Sequence, residues 1–540
     1  MLQAWIEAAE RDEPVWLADV RESSQKMPDA ARLIVRLERF HGELRDFPLW
    51  LPRWQDERQR RFVGEYVGAY VFNILSALSG RRMTFYYDMR DRQVDALLRQ
   101  LPQLFQVASP QREGYGKVIN VANRLGHALG GGSFCFDFRT LDEHAPLPEP
   151  ASAPSPADLA VRLRQAAAAG ERGLLCGVDV GGTDIKLALA KDGELLSVWE
   201  YDWDPSACTA ADEIIGHIVG LIRRAVNTAV PGALLDGLGV SFPDVVIRDR
   251  IVGGETPKTR GMRANAAVDY ETAFAKLTAL REHLAPLCRT NAPIRLTNDG
   301  HMAAFSAAME LACCGHDEAI AGGVIAHTLG TDLGTGWLSA DGTIPESPME
   351  FYDFLLDLGS WPSREREPLD LRSVRNENSG LPGARRYLGQ SAAFRLAYEL
   401  SPELLDGFTV QEGQRLTIQM DPDMRKPCLE SLMLAAQNGD TAAAEVFRRI
   451  GFHLGQISRE MDHLMRPDTD KRFLFGRFTK HPACFALLQE GCAISAPELT
   501  LVAADESLAY TPLMRALSQR KDVTVAQFGQ AVGSIYFSLM

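Results

Sequence analysis

The residues best suited to chemistry surround a tight turn in Gly177–Leu189, which reads GVDVGGTDIKLAL. The turn carries an acid, two glycines, a threonine and a lysine: Asp179, Gly181, Gly182, Thr183 and Lys186. Glycines let backbone N–H groups approach a ligand, and successive N–H groups form an anion-binding concavity. The threonine adds a hydroxyl donor, the lysine a positive charge, and the acid a ligand for hydrated Mg²⁺. By itself the pattern fits a phosphate-binding turn or an ordinary β-hairpin equally well.

A second turn of the same kind lies further along the chain. Gly330–Gly336 reads GTDLGTG and follows the apolar run Val324–Leu329. Its candidate phosphate contacts are Gly330, Thr331 and Gly334. Two such turns in corresponding places of two lobes would hold a polyphosphate from both sides, which weakens the interpretation as two plain hairpins.

An acid lies between the two turns, in the stretch Ile294–Glu310, which reads IRLTNDGHMAAFSAAME. Asn298 and Asp299 follow a short apolar strand and precede an alanine-rich helix. Asp299 is a good candidate for the helix N-cap, which would make it structural. It is equally a candidate general base at the carboxyl end of a strand, where α/β proteins gather their sites, with Asn298 bonding a neighbouring hydroxyl.

The elements around these residues predict two related α/β lobes. Each lobe begins with glycine-punctuated strands, and helices alternate with strands between them, which is typical of α/β architecture. In the first lobe we expect strands at Leu174–Val180, Ile185–Ala190, Leu195–Asp202, Gly237–Ser241 and Ile294–Thr297, with helices at Ala211–Val230, Tyr270–Leu287 and 300–314. The second lobe would begin with the strand pair within Gly323–Leu338.

A proline-rich stretch, Ala145–Pro156 (APLPEPASAPSP), predicts an extended linker. We therefore expect a separate mixed α+β N-terminal domain at 1–145, a linker and helix at 146–170, a first lobe at 171–300 and a second lobe at 301–540. Within the N-terminal part, Pro28–Leu44 and Gln93–Phe105 read as helices and Arg82–Tyr87 as a strand. Its role is not evident from its residues.

Bulk composition excludes several classes of protein. The 540 residues carry a formal net charge of −14, which argues against a dedicated nucleic-acid binder. The longest apolar stretch, Val67–Leu78, is too short for a membrane span and reads as a buried helix. The N-terminus lacks the pattern of a secretory signal, and the nine cysteines are scattered without a CxxC pair. We expect a cytoplasmic protein with reduced cysteines and no structural zinc.

Together these motifs resemble the ROK group of the sugar-kinase, hexokinase and actin-like ATPase superfamily. The DxGGTxxK turn, the Asn–Asp pair before an alanine-rich helix and the second glycine turn occur in the family's order. Phe473–Gly476 (FLFG) resembles the strand that ends at an adenosine-contacting glycine, and Gln530–Phe537 resembles the family's terminal helix. The resemblance covers about Leu174 to the C-terminus.

The resemblance implies two RNase-H-like lobes around a nucleotide cleft, with ATP and Mg²⁺ as cofactors and a small-molecule sugar as partner. It implies Asp299 as general base, Asn298 as a substrate ligand, Asp179 facing the metal and Gly476 at the adenosine. Transfer of the γ-phosphoryl group is then mainly positioning and charge stabilisation. Family members are often dimers, which leaves a homodimer open.

The chain departs from the family in three places. The family's histidine and CxCGxxGCxE zinc cluster has no counterpart, so its sugar-binding Glu and His do not carry over. Glu350, within Glu346–Asp353 (ESPMEFYD), is the best substitute. Arg477 and Phe478 replace glycine-rich sequence after the adenosine motif, and Asp332 stands where the family often has glycine.

Three functions follow from these residues. The leading one is ATP-dependent phosphorylation of a hydroxyl on a sugar or sugar-like substrate. The alternative is a catalytically silent nucleotide- or sugar-binding regulatory protein, with the N-terminal domain binding a partner. A third, an actin-like or activator ATPase without a small acceptor, gives no role to the amide of Asn298.

Overall fold

The structure, a computed structural model, describes residues 1–106, 113–147, 157–254, 256–330, 333–377, 379–418, 422–479, 481–505 and 507–540. Residues 148–156 of the predicted linker therefore lie outside the described residues. No helix in the described ranges is long and apolar enough to cross a membrane. All nine cysteines are free thiols.

The N-terminal segment folds around a four-stranded sheet. Its strands, in the spatial order β2-β1-β3-β4, are β1 (Ala31–Glu38), β2 (Leu44–Leu51), β3 (Arg82–Tyr87) and β4 (Cys135–Thr140). Its helices are α1 (Leu2–Glu10), α2 (Leu17–Gln25), α3 (Glu57–Ala77), α4 (Arg92–Leu98), α5 (Leu101–Leu104) and α6 (Lys117–Leu129). The helix expected at Pro28–Leu44 is wrong, because β1 and the turn into β2 occupy it.

The first lobe contains a five-stranded sheet in the order β11-β8-β5-β6-β7. The lobe's strands are β5 (Leu174–Val180), β6 (Asp184–Lys191), β7 (Glu194–Asp202), β8 (Gly237–Phe242), β9 (Val246–Ile247), β10 (Arg250–Ile251) and β11 (Ile294–Asn298); β9 and β10 form a separate short hairpin. Its helices are α7 (Ala157–Ala169), α8 (Ala211–Ala229), α9 (Arg260–Ala264), α10 (Tyr270–Thr278) and α11 (Leu280–Leu284). Strands β5, β6 and β7 pair antiparallel, whereas β5, β8 and β11 run parallel.

The second lobe repeats this plan in a sheet of order β13-β12-β16-β17. The strands are β12 (Val324–Leu329), β13 (Leu333–Leu338), β14 (Thr409–Glu412), β15 (Arg415–Ile418), β16 (Lys471–Phe475) and β17 (Thr500–Ala503), of which β14 and β15 form a hairpin apart. The helices are α12 (Asp299–Cys313), α13 (Asp317–Ile320), α14 (Trp361–Arg364), α15 (Gly389–Leu400), α16 (Pro422–Gln437), α17 (Thr441–Met465), α18 (Pro482–Ser495), α19 (Pro512–Ser518) and α20 (Val525–Phe537). An antiparallel β12–β13 pair beside parallel β16 and β17 matches the β5–β6 pair beside β8 and β11. The predicted α/β fold with two related lobes is confirmed.

Two helices join the lobes by close backbone contact. Helix α20 lies against β5, where a Cβ at Gly177 would overlap the carbonyl oxygen of Ala531. Helix α12 lies against the second sheet, where a Cβ at Gly336 would overlap the carbonyl oxygen of Gly300. Each glycine is required by the approach of a helix, and the two helices fix the carboxyl ends of both sheets next to each other.

The N-terminal segment shares its hydrophobic core with the second lobe. Buried side chains of its sheet and of α3 form one continuous cluster with buried side chains of α15, α17 and α18. The buried Arg21 of α2 pairs with the buried Glu460 of α17. The Tyr70 hydroxyl of α3 forms a hydrogen bond with Nε2 of His463 at 2.7 Å, and burial lowers the pKa of that imidazole to about 3. The segment thus has its own sheet but not its own isolated core.

Candidate functional site

A cavity of about 710 Å³ lies between the two lobes, at the carboxyl ends of β11 and β12. Six of the twelve predicted site residues line it: Asn298, Asp299, Gly330, Gly334, Glu350 and Gly476. Thr331 lies outside the described residues, and Asp332 does as well. The first glycine turn and Asp179 lie beside the cavity rather than among its lining residues.

Asn298, not Asp299, caps helix α12. The helix begins at Asp299, and the backbone N–H of Gly300 donates to Oδ1 of Asn298 at 2.8 Å. The Asn298 amide also donates from Nδ2 to the carbonyl oxygen of Asp244 at 2.9 Å. The cap therefore falls one residue earlier than the structural interpretation of Asp299 required, and the Asn298 side chain also hydrogen-bonds the Asp299 carboxylate.

The Asp299 carboxylate is placed to act as a base. It is half-buried in the cavity, and its Oδ1 accepts from the N–H of Gly300 at 2.9 Å. Burial raises the pKa of Asp299, while the positive charge of Lys258 and the hydrogen bonds at the helix start oppose that shift. A raised pKa makes a carboxylate a stronger proton acceptor, as a general base needs.

Asp179 lies at the end of β5, and in register it pairs with Ser241 of β8, which in turn pairs with Thr297 of β11. Burial and then the negative charge of Asp299 raise the pKa of Asp179 to about 6. A divalent cation would relieve this repulsion between two carboxylates, and carboxylate oxygen is the ligand type that Mg²⁺ takes. The residues present therefore fit a Mg²⁺ ion beside Asp179.

The first glycine turn exposes backbone donors. Gly182 and Thr183 are exposed, and within the described chain their N–H groups form no hydrogen bond. Gly181 closes the turn by donating its N–H to the carbonyl oxygen of Asp184 at 2.7 Å. Lys186 is held inside the turn, where its Nζ lies 2.6 Å from Asp184 and 3.7 Å from Glu200. The backbone of this turn, more than Lys186, is positioned to receive an anion.

The second glycine turn is open toward the cavity at one glycine and packed at the other. Among the described residues, no atom lies within 4 Å of a Cβ built at Gly330, so the backbone there has space for a ligand. A Cβ at Gly334 would overlap Oγ1 of Thr328. The two glycines thus serve different purposes: Gly330 leaves space beside the backbone, and Gly334 allows the Thr328 side chain to pack against it.

Lys258 is a cation of the site that the sequence did not reveal. It lies in a 3₁₀ turn, Pro257–Thr259, and lines the cavity. Its charge lowers the pKa of both Asp299 and Asp244, and a Cβ on Gly182 would lie 3.5 Å from its Cε. It therefore lies close to both the first glycine turn and Asp299. The available signal was a lysine after two glycines in a loop, GGETPK, which resembles the glycine-plus-lysine pattern of the first turn.

Glu350 lies in the cavity with an unusually basic carboxylate. Burial raises its pKa to about 8, with Lys117 opposing the shift and Asp353 adding to it. The Tyr352 hydroxyl donates to Oε2 of Glu350 at 2.5 Å. The structure thus brings Glu350 into one cavity with Asp299, although the sequence offered only its position after the second glycine turn.

Gly476 ends strand β16 with a φ of +102°, and a Cβ there would lie 2.6 Å from the carbonyl oxygen of Leu329. It lines the cavity, whose lining includes the apolar side chains of Phe475, Val502, Leu508, Met514 and Val525. In the described part of the chain, no group of three or more His, Cys, Asp or Glu side chains is arranged to hold a metal ion.

No protein-family model matches the sequence, and no curated protein is significantly similar to it. Solved structures are similar. A ROK family glucokinase from Streptomyces griseus, in complex with glucose and AMPPNP, is 19% identical over 68% of this chain and 99% of its own, with a TM-score of 0.40. A ROK hexokinase from Thermus thermophilus is 16% identical over 68% and 99%, with a TM-score of 0.41. A ROK family transcriptional regulator, a homolog of the E. coli MLC protein, is 14% identical over 68% and 80%, with a TM-score of 0.43.

Proposed function

We propose that this protein transfers the γ-phosphoryl group of ATP to a hydroxyl of a sugar or sugar-like substrate, with Asp299 as the general base. The observation that carries the proposal is the position of Asp299. Asn298 caps helix α12 in its place, and Asp299 lines a cavity between the lobes beside two glycine turns. The resemblance of the DxGGTxxK turn, the Asn–Asp pair and the second glycine turn to ROK sugar kinases supports it.

The geometry supports one proposed role for each of these residues. The acceptor hydroxyl would lie against Asp299 and give its proton to that carboxylate as it attacks phosphorus. Glu350 would accept hydrogen bonds from further hydroxyls of the acceptor. The exposed N–H groups of Gly182 and Thr183 and the open backbone at Gly330 would hold the phosphates, and Lys258 would offset negative charge. Mg²⁺, when bound beside Asp179, would neutralise phosphate charge.

The nucleoside would lie against apolar side chains of the lining, which include Phe475 and Val525 beside Gly476. The same lining carries the polar side chains of Asp299 and Glu350. A cavity lined by both kinds of side chain suits a ligand pair made of a purine nucleotide and a hydroxylated acceptor.

The test is an ATP-dependent assay of the purified full-length chain with Mg²⁺ and a panel of hexoses, N-acetylhexosamines and polyols. ADP release is measured with and without each acceptor, and the product is identified by ³¹P NMR. Asp299→Asn should lower kcat by roughly 10²–10⁴-fold with an unchanged melting temperature, because it removes the base without removing the side chain. Asp212→Asn, at an exposed pair with Lys276, is the matched control and should leave kcat unchanged.

Two outcomes would overturn the proposal. Full turnover by Asp299→Asn would show that the base is another residue. Tight binding of ATP or sugar without any acceptor-dependent ADP release across the panel would instead indicate the catalytically silent regulatory protein.

A further inference from the structure

The loop that carries Glu350 is held by the N-terminal segment. The N–H of Glu350 donates to the carbonyl oxygen of Ser76 at 3.0 Å, and that of Met349 to the carbonyl oxygen of Ala77 at 3.1 Å. Both acceptors belong to the last turn of α3, where carbonyl groups lack intrahelical partners. The backbone N–H groups of Met349 and Glu350 therefore take the place of helical donors at the end of α3, a helix of the N-terminal segment.

A buried ion pair from α6 secures the same loop. Nζ of Lys117 pairs with Oδ2 of Asp353, and the two side chains are only 3% and 2% exposed. Oδ1 of Asp353 accepts from Nδ2 of the fully buried Asn376 at 2.6 Å. Nζ of Lys117 also lies 5.3 Å from the ring centre of Tyr352, whose hydroxyl donates to Glu350. Lys117 thus contacts Tyr352, which hydrogen-bonds the Glu350 carboxylate, and Asp353, whose negative charge raises the pKa of that carboxylate.

The other end of α6 is anchored on the first lobe. Arg124 donates to both carboxylate oxygens of Glu271, at 2.8 and 2.9 Å, and to the carbonyl oxygen of Gly253. Val121 and Leu125 of α6 pack into a buried cluster with Val245, Ile247 and Val252 of the first lobe. Because Lys117 and Arg124 are seven residues apart, about 10 Å along the helix, α6 bridges the two lobes at the cavity.

We propose that the N-terminal segment completes the acceptor site, with Lys117 of α6 as a positioning residue that orients the Glu350 carboxylate through Asp353 and Tyr352. This inference rests on the proposed function, and it gives the segment a role that its sequence did not suggest.

The charges that face Glu350 predict the direction in which its pKa changes in each variant. Lys117 lowers the pKa of Glu350, whereas Asp353, Asp244 and burial raise it, and the Tyr352 hydrogen bond lowers it. Removing the charge of Lys117 should move the pKa of Glu350 upward. Removing the charge of Asp353 should move it downward. Simple loosening of the loop would not shift the pKa in opposite directions for the two variants.

The main experiment compares Lys117→Met, Lys117→Arg and Asp353→Asn in the full-length chain. The probe is the sugar of the panel with the largest kcat/KM, and its KM and the KM for ATP are measured from pH 6 to pH 9. Lys117→Met should raise the KM for the sugar at least tenfold at pH 7.5 and change the KM for ATP less than twofold. It should also shift the plot of sugar KM against pH to higher pH. Asp353→Asn should shift that plot to lower pH, and Lys117→Arg should restore most of the affinity for the sugar.

Arg21→Met is the matched control, because Arg21–Glu460 is also a buried pair between the N-terminal segment and the second lobe. It should lower the melting temperature comparably and leave both KM values and the pH profile unchanged. If Arg21→Met and Lys117→Met alter sugar binding alike, or if Lys117→Met changes both KM values equally, Lys117 is merely structural and the proposal is wrong.

A readout without turnover separates this proposal from the proposed function. The pKa of Glu350 is measured by NMR on protein labelled with ¹³C at the glutamate carboxyl carbon, and Glu350→Gln assigns the signal. An upward shift in Lys117→Met and a downward shift in Asp353→Asn support the positioning role even if no sugar is phosphorylated. Equal pKa values in the wild type and both variants overturn it even if the protein proves to be a sugar kinase.

Discussion

The carboxylates of Asp179 and Asp299 lie at the carboxyl ends of strands in one parallel set, close enough that the charge of Asp299 raises the pKa of Asp179. Two carboxylates held this way disfavour their joint ionisation unless a cation lies between or beside them. The closeness of the two carboxylates therefore costs the folded state free energy when both are ionised, and a bound Mg²⁺ would offset this cost.

Asp179→Asn should raise the Mg²⁺ concentration required for half-maximal turnover by about tenfold or more, because an amide is a weaker ligand for a hard cation than a carboxylate. Chelation of Mg²⁺ should abolish turnover of the wild type, and added Mg²⁺ should restore it. The measurement is the initial rate against free Mg²⁺ at pH 7.5. An unchanged Mg²⁺ requirement in Asp179→Asn would remove this residue from the metal site.

Lys258→Met should lower kcat by roughly 10²–10³-fold, the range seen when one group that stabilises transition-state charge is removed. Lys258 also lowers the pKa of Asp299, so its loss should move the acid limb of the kcat profile to higher pH. Lys276→Met, at an exposed pair with Asp212, provides the control. A wild-type pH profile in Lys258→Met would show that this lysine does not act on the base.

Local patterning was enough to predict strands β5–β8 and β11–β13 and the first glycine turn, but not the contacts between distant segments. Strand β5 matches its expected bounds and α8 ends within one residue of them, because apolar runs and glycine turns determine them locally. The segment Pro28–Leu44 was misjudged as a helix, since its alternation of buried positions appears only when β1 pairs with β2 and β3. Lys258 and Lys117 reach the site only through tertiary packing, which spacing along the chain does not encode.

Glu350→Gln should stabilise the protein at alkaline pH and have little effect at acid pH. The pKa of Glu350 is about 8 in the folded chain, against about 4.3 in an unfolded one, so the folded state binds more protons between these values. The stability contribution of Glu350 is thus fully present below about pH 4 and is lost as the pH rises through about 8. The difference in melting temperature, variant minus wild type, should grow from pH 5 to pH 8.5. The exposed Glu318→Gln should show no such trend.

Alanine substitutions at two glycines should separate folding from phosphate binding. Gly177→Ala should destabilise the chain by about 3 kcal/mol, because the new methyl group would overlap the backbone of α20. Gly330→Ala should leave the melting temperature nearly unchanged and raise the KM for ATP, because space is open there. Gly220→Ala, at an exposed and open position of α8, serves as control and should be neutral to stabilising. Equal KM values for ATP in Gly330→Ala and the wild type would argue against phosphate contact at that glycine.

Deletion of residues 1–156 should prevent the remaining chain from folding, although the proline-rich stretch Ala145–Pro156 resembles a domain boundary. The deletion would expose the buried side chains of α15, α17 and α18 that belong to the shared cluster, and it would leave Glu460 and Asp353 without their buried cations. Breaking a buried ion pair by removing one partner costs about 3–5 kcal/mol, which is comparable to the whole stability of many domains.

We expect residues 157–540 to be insoluble when expressed alone and to be rescued by co-expression of residues 1–147 as a separate chain. The soluble yield and the thermal unfolding curve measure this. A monomeric, cooperatively unfolding 157–540 fragment with a near-native melting temperature would show that the shared core is dispensable.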